Sequence, residues 1–354
     1  MGPRAAPYSD ARSLSVVIPT SRGGADLETC LVSLVDQDYP AVEVVVVDNA
    51  SPDRSIARLP KRLPTVSVKV LHNEENLGFV GASNQGIEAS SGELILLLND
   101  DTALEPGALS AFVDTLARNP AWGACQAKLL LMDDPSRLDT AGSFLTATGF
   151  LIHRGAFEPE DRFTVSDEIF AAKGAALLVR RRALEEVGTF DPDFFAYFEE
   201  TDLCWRLWLA GWEVGFAADA RVLHKLGATA SALPSAFVQF HSFKNRLCTL
   251  LKNTGTARLA AMLPVHIVLC GGLVAWYAAH RQPKIGTAIL RAVAWNVAQL
   301  PRTLAKRREI QARRRVSDRE LMPRIKKPAS IRTLVSYARG GPAQKPGSAE
   351  IRSA

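Results

Sequence analysis

A chain of 354 residues with a formal charge of +5 and 47% hydrophobic side chains is too apolar for general disorder, and long enough for one large domain with appendages or for two domains. Its five cysteines (Cys30, Cys125, Cys204, Cys248 and Cys270) are dispersed and lack paired ligand spacing, which argues against a disulfide framework or a zinc knuckle and fits a reducing compartment. Charge is uneven: from Arg302 to Arg339 thirteen Lys or Arg face only three acids, a block suited to an anionic partner or to a solvated face.

Residues 1–12 lack the apolar core of a signal peptide and read as a loose arm. Residues 14–18 (LSVVI) predict a first buried strand, ended by Pro19 and Thr20. Leu27, Cys30, Leu31, Leu34 and Val35 recur at helical spacing, and Pro40 marks the end of that helix. Val42–Asp48 (VEVVVVD) predicts a second strand that breaks into NASPD, where Asp53 reads as a turn residue, and Val66–His72 a third. A glycine-bearing loop with Gly78 and Gly81 then enters a short helix.

The stretch from Leu94 to Leu104, LILLLNDDTAL, carries the strongest chemical signal. An unbroken apolar run reads as a strand buried on both faces, and acids at its carboxyl end fall where open α/β sheets place ligands. Adjacent carboxylates repel, so a divalent metal holding a diphosphate would suit them; an ordinary acidic turn is the alternative. A further helix follows, with Pro106 in its first turn and Leu109, Phe112, Val113 and Leu116 on one face. Alternating β and α units imply a doubly wound sheet with right-handed crossovers.

Residues 122–173 read as irregular, acceptor-facing loops. Ala175–Val179 predicts a strand, followed by a helix capped near Gly188; Leu203–Ala210 predicts a helix with Gly211 at C′, in which Asp202 and Arg206 can pair across one turn. A strand follows around Trp212–Phe216. Residues 259–279 contain no charged side chain, a length able to cross a bilayer. Pro264, His266 and the Gly271-Gly272 pair favour a re-entrant or in-plane segment, followed by a basic amphipathic helix around Ile285–Arg308; a buried helix is the alternative. Residues beyond Gly340 read as disordered.

In order along the chain stand SVVIPTSRGGADLETCLVSLVDQDYP, VVVVDNASPD, NLGFVGASNQGI, LLLNDDT, AAKGAALLVRR, FFAYFEETDLCWR and VLHKLGAT. Together, over about residues 13–255, they resemble the family 2 glycosyltransferases, and within them the rhamnosyltransferase-like branch. The resemblance implies an α/β fold of the GT-A type, a doubly wound, mostly parallel, Rossmann-like nucleotide-sugar domain over residues 13–230; the apolar and basic stretches read above make 231–339 a region of C-terminal membrane-associating helices and 340–354 a disordered tail.

It also implies roles. Pro19, Thr20, Asp48, Gly81, Asn84, Asn99, Asp100 and Gly174 would line the nucleotide-sugar site. Asn99-Asp100-Asp101 takes the place of the family's DXD motif, with Asn at its first acidic position; Asp101 and His224 would hold Mn²⁺ or Mg²⁺. In Glu199-Glu200-Thr201-Asp202, Glu200 occupies the position of the family's catalytic base, with Glu199 and Asp202 as the other candidates. A carboxylate in a partly dry pocket gains the raised pKa that a base needs, and Phe194, Phe195, Tyr197 and Phe198 can supply that pocket or serve as core. Lys173 reads as a solvated or phosphate-facing charge. The implied reaction is inverting transfer from a nucleoside-diphosphate sugar, with rhamnose as one donor, to a glycan or lipid-linked acceptor at the cytoplasmic membrane surface. A sugar nucleotidyltransferase would show a glycine-rich basic loop after the first strand, of which SRGGAD is a poor version, while a non-catalytic scaffold is disfavoured by Asp48, Asp101, Glu200 and His224. The basic block lacks the interleaved aromatics of a nucleic-acid site.

Overall fold

The computed structural model describes residues 13–39, 42–52, 56, 62–63, 66–226 and 234–328. The predicted arm, Pro40, Asp53 and the C-terminal tail lie outside them. The chain begins with β1 (Leu14–Thr20), α1 (Gly24–Val35), β2 (Val42–Asn49), β3 (Arg62–Leu63), β4 (Val66–Asn73), α2 (Gly78–Ala89) and β5 (Leu94–Leu98). Next come β6 (Thr102–Leu104), α3 (Ala108–Arg118), β7 (Trp122–Leu131), β8 (Asp134–Thr140) and the small ribbon of β9 (Ser143–Leu145) and β10 (Leu151–His153). β11 (Asp167–Glu168), β12 (Ala176–Arg180), α4 (Arg181–Val187), α5 (Glu199–Leu209) and β13 (Glu213–His224) complete the sheet region. Helices α6 (Ser235–Asn253), α7 (Thr256–Ala279), α8 (Pro283–Ala298), α9 (Leu300–Ala312) and α10 (Asp318–Ile325) follow.

The main sheet runs β11-β13-β7-β12-β5-β1-β2-β4-β3, with β6 on β13 and β8 on β7. β5, β1, β2 and β4 are parallel; β12 enters antiparallel between β5 and β7. Successive residues feed two cores. Val16, Ile18, Val44, Val46, Leu94 and Leu96 pack under α1 and α3, while Val17, Val45, Val47, Ile95 and Leu97 pack toward α2 and α5. This double burial explains why these strands are continuous apolar runs rather than alternating ones.

Several boundaries differ from those expected. β1 continues through Pro19 and Thr20 because its pairing with β5 ends at Val17, so the missing N–H of Pro19 breaks no bond on that side. β5 ends at Leu98, and Asn99–Asp101 form the turn into β6. Pro106 precedes α3, which Gly107 caps in a left-handed conformation. The stretch after Trp122 is not irregular: all ten residues of β7 are buried. Its polar residues are satisfied there, Gln126 donating to the Thr140 carbonyl and accepting from the Lys173 N–H, and Lys128 pairing with Glu160 at 3.0 Å. β13 runs to His224 rather than ending near Phe216, and α5 begins at Glu199, four residues before the expected start, which places all three candidate acids in its first turn. The basic stretch after Ile285 is two helices, broken at Gln299, with Pro301 in the first turn of α9.

α7 is long and apolar enough to cross a membrane, and only 17% of its most apolar window is buried, against the buried-helix alternative. Val265, Ile267 and Val268 stand exposed, as do Leu290 and Val297 of α8.

Candidate functional site

The ends of β1, β2 and β5 form one rim of the site. Thr20 faces Asp48 in the β1–β2 register, and its hydroxyl donates to Asp100 Oδ2 at 2.5 Å while accepting the Gly23 N–H at 2.9 Å. Burial pushes the Asp100 carboxyl up to about 6 against that hydrogen bond, and the Asp101 charge adds to the rise. Asp48 accepts the Ser51 N–H at 2.9 Å, as a turn aspartate does, and its second oxygen lies 3.0 Å from His72 Nδ1. Asn99 sends its main-chain N–H to the Ala175 carbonyl, and its buried side-chain Oδ1 has no partner.

Asp101, in the turn between β5 and β6, and His224, at the end of β13, come together. Asp101 Oδ1 is buried, unpartnered, and 3.5 Å from His224 Nε2, too far for a good hydrogen bond. Behind the ring, Nδ1 lies 2.7 Å from Asp139 Oδ2, and Asp139 is held in turn by Lys173 at 2.6 and 2.8 Å. Burial opposes charge on His224, but the two flanking carboxylates outweigh it and raise the pKa. Burial likewise opposes ionisation of Asp139, yet Lys173 and His224 hold it well below the usual carboxylate range. The donor set fits a divalent cation: an orphaned carboxylate oxygen and an imidazole nitrogen converge, with a carboxylate orienting the ring from behind. Among the described residues no third His, Cys, Asp or Glu joins them, so the remaining positions would fall to diphosphate oxygens and water. Lys173, read from the sequence as a solvated or phosphate-facing charge, keeps partial exposure and is the counter-charge of Asp139.

Glu199 and Glu200 open α5 after two residues in left-handed conformation, Tyr197 (φ 71°) and Phe198 (φ 73°). Such backbone is strained for non-glycine residues and persists only where its surroundings hold it. Here Asn245 of α6 donates to the carbonyls of Ala196 and Tyr197 at 2.9 and 2.6 Å. Glu200 is half-buried, and burial pushes its carboxyl up to about 7 despite its own main-chain N–H and the nearby Lys173. Glu199 is buried, its Oε2 has no partner, and burial followed by the Glu200 charge raises it well above the usual range. Of the aromatics before them, Phe194 and Phe198 are core, and Phe195 and Tyr197 are half-buried.

Three sequence-derived roles do not fit this geometry. Asp202 is fully buried between Arg206 (2.9 Å), Lys252 (3.0 Å) and Asn253 (3.0 Å), so it is a structural anion and not a base. Asn84 spends both ends of its amide on Phe190, donating to its carbonyl at 2.9 Å and accepting its N–H at 3.1 Å, so it tethers α2 rather than a ligand. At Gly81 an added Cβ would lie 2.6 Å from Leu77 Cβ, so that glycine serves the first turn of its own helix. Gly174 differs: a Cβ there would meet nothing nearer than Phe79 at 3.7 Å, so the neighbouring protein does not demand a glycine. Two cavities of about 1010 and 1050 Å³, one beside Gly255 and Lys326 and the other beside Asn119 and Lys327, include none of these groups.

Residues 15–188 match the family model described as Glycosyl transferase family 2. An N-acetylglucosaminyl-diphospho-decaprenol L-rhamnosyltransferase of Mycobacterium tuberculosis is 30% identical over 252 residues, which cover 64% of this chain and 81% of that protein. The chain belongs to glycosyl transferase family 2. It stands in the rhamnosyltransferase-like branch and is a glycosyltransferase that uses a nucleotide-sugar donor. An O-antigen biosynthesis protein RfbC of Myxococcus xanthus is 27% identical over 65% of this chain, but that match covers only 19% of RfbC. The GT-A fold of this family 2 glycosyltransferase is shared with GalNAc-T7 solved with UDP, GalNAc and Mn²⁺ (16% identity, TM-score 0.58, 82% of this chain and 58% of that one). It is also shared with residues 1–349 of S. aureus TarS in complex with UDP-GlcNAc (17%, 0.56, 84% and 89%).

Asp139, Lys173 as its counter-ion, and Asn245 were not visible as site residues in the sequence. Asp139 lies in an unremarkable DTAG stretch and Asn245 in a helix beyond the motifs; no local pattern marks either.

Proposed function

We propose that this enzyme transfers a sugar, with inversion, from a nucleoside-diphosphate donor to a hydroxyl of a lipid-linked glycan at the cytoplasmic face of the membrane. The observation that carries the reading is the buried, unpartnered Asp101 Oδ1 facing His224 Nε2 at 3.5 Å, with Asp139 behind the ring. A divalent cation held there, Mn²⁺ or Mg²⁺, would neutralise the departing diphosphate. Thr20, Asp48 and Asn99 line the nucleotide side, and Gly174 leaves room for the sugar.

Glu200 takes the proton from the acceptor hydroxyl. Its carboxyl, raised to about 7, is matched to that task near neutral pH, and one carboxylate suffices for direct displacement without a covalent enzyme intermediate. Glu199 is more deeply buried, and burial together with the Glu200 charge raises it well above the usual carboxylate range, which disfavours a second charge beside Glu200. The Mycobacterium tuberculosis relative suggests rhamnose as the sugar and a sugar diphospho-lipid as the acceptor. The exposed apolar side chains of α7 and α8, with Lys284 and Arg302 beside them, suit the bilayer surface.

The test is turnover of UDP-, dTDP- and GDP-sugars with an N-acetylglucosaminyl diphospho-lipid, with Mn²⁺ and with EDTA. The expected result is metal-dependent release of one nucleoside diphosphate and a product of inverted anomeric configuration. Retention of configuration, or equal turnover in EDTA, would overturn the reading.

A further inference from the structure

Arg246 of α6 stands among three aromatic rings. Its guanidinium carbon lies 4.5 Å from the ring centre of Phe150, 4.8 Å from Phe243 and 5.3 Å from Phe198. Its Nε and Nη1 are buried and have no hydrogen-bond acceptor. Among the described residues no carboxylate pairs with it, whereas Lys252 and Lys306 nearby on α6 and α9 are paired with Asp191. Aromatic faces attract a cation but do not satisfy N–H groups lying in the guanidinium plane. A buried cation with free donors and no counter-charge is incomplete until an anion reaches it. Burial pushes its pKa down only to about 10, so it is charged at neutral pH.

Its neighbours place it between the chemistry and the apolar helix. Phe198 directly precedes Glu199 and Glu200. His153, at the end of β10, lies in the fields of Lys173, Asp139 and Arg246, and Lys173 acts on Glu200 as well. On the other side, His266 and Cys270 of α7 feel the Arg246 charge, and His266 stacks on Phe150 at 4.9 Å. An acceptor whose sugar hydroxyl faces Glu200, and whose lipid follows α7, carries its linking phosphates between the two.

We infer that Arg246 is an anion site for the phosphate group that joins the acceptor sugar to its lipid, separate from the donor diphosphate site at Asp101 and His224. The inference rests on the lipid-linked acceptor proposed above. A guanidinium suits it because its forked N–H groups bind two phosphate oxygens at once, while a lysine presents a point charge.

The experiment compares the full-length enzyme with its Arg246→Gln and Arg246→Lys variants on two acceptors: an N-acetylglucosaminyl diphospho-lipid and a neutral alkyl glycoside of the same sugar. For Arg246→Gln the ratio of kcat/KM on the phosphate-bearing acceptor to that on the neutral one falls at least tenfold, through KM. Arg246→Lys recovers part of that ratio. Inorganic pyrophosphate competes with the diphospho-lipid in the parent enzyme and weakly in Arg246→Gln. An unchanged ratio in both variants would show that Arg246 only fills space among its rings, and a rise confined to the donor KM would assign the anion to the donor; either overturns the site. Failure of the parent enzyme on the diphospho-lipid, with turnover of the neutral glycoside, would instead overturn the acceptor reading and the site with it.

Discussion

Asp139 Oδ2 stands 2.7 Å from Nδ1 of His224, across 85 residues of chain. The contact fixes the imidazole so that Nε2 faces Asp101, and Lys173 keeps Asp139 ionised for the purpose. Removing a carboxylate behind a metal-binding histidine weakens metal affinity by about 10–100-fold. Asp139→Asn therefore raises the Mn²⁺ concentration for half-maximal turnover by that factor, read by titrating Mn²⁺ into the apo-enzyme at saturating donor. An unchanged midpoint would remove Asp139 from the site.

Asn84 makes the opposite kind of prediction. Its two hydrogen bonds to Phe190 tie α2 to the loop before Glu199 and Glu200. Asn84→Ala leaves the Phe190 main-chain groups unpaired, which costs about 1–3 kcal/mol. Urea unfolding shows the loss, while donor KM shifts by less than threefold. A large rise in donor KM without loss of stability would return Asn84 to the nucleotide site.

Much of this architecture was legible because its causes are local. Val16–Ile18, Val44–Val47 and Leu94–Leu98 are apolar at every position because both sheet faces are covered, and the Leu27–Leu34 spacing of α1 repeats one helical face. The antiparallel entry of β12, the full length of β7 and the role of Asp139 depend on partners far along the chain. Gln126 and Lys128 look like loop residues until Thr140, Lys173 and Glu160 satisfy them. Asp202 sits in the motif beside the proposed base, and only its contacts with Arg206, Lys252 and Asn253 mark it as a structural anion.

That buried cluster supplies a stability prediction. Lys252 of α6 joins Asp191, on the loop before α5, to Asp202 within it. Lys252→Met would remove the cation shared by two buried carboxylates, leaving Asp191 with Lys306 and Asp202 with Arg206, a loss below the roughly 3–5 kcal/mol of a fully uncompensated buried charge. The expected outcome is a lower urea midpoint with reduced turnover, since the loop leading into Glu200 loosens with it. A midpoint within experimental error of the parent would contradict the role given to Lys252.

Glu200 predicts two pH dependences. Its carboxyl is raised from 4.5 to about 7 in the folded chain. With Glu200 as the proposed base, only the deprotonated form is active, so kcat/KM is expected to fall tenfold per pH unit on the acid side of about 7. For stability the sign is opposite: the folded state keeps a proton that the unfolded state loses above pH 4.5, so this group's contribution is present at acid pH and declines as pH rises toward 7. Unfolding curves from pH 4.5 to 7 for the parent and Glu200→Gln should therefore converge at the acid end, with the variant flatter. Parallel curves would place the raised pKa elsewhere.

Glu199 and Glu200 are adjacent, both buried to some degree and both raised, yet only Glu200 is placed as the base. Single-turnover transfer by Glu200→Gln and Glu199→Gln, with donor binding measured on the same preparations, separates them most directly. Loss of a general base lowers the rate by about 10²–10⁴-fold. Glu200→Gln is expected to lose about a thousandfold in transfer while binding donor normally, and Glu199→Gln to stay within tenfold of the parent. Near-normal transfer by Glu200→Gln, or the larger loss falling on Glu199→Gln, would contradict the assignment.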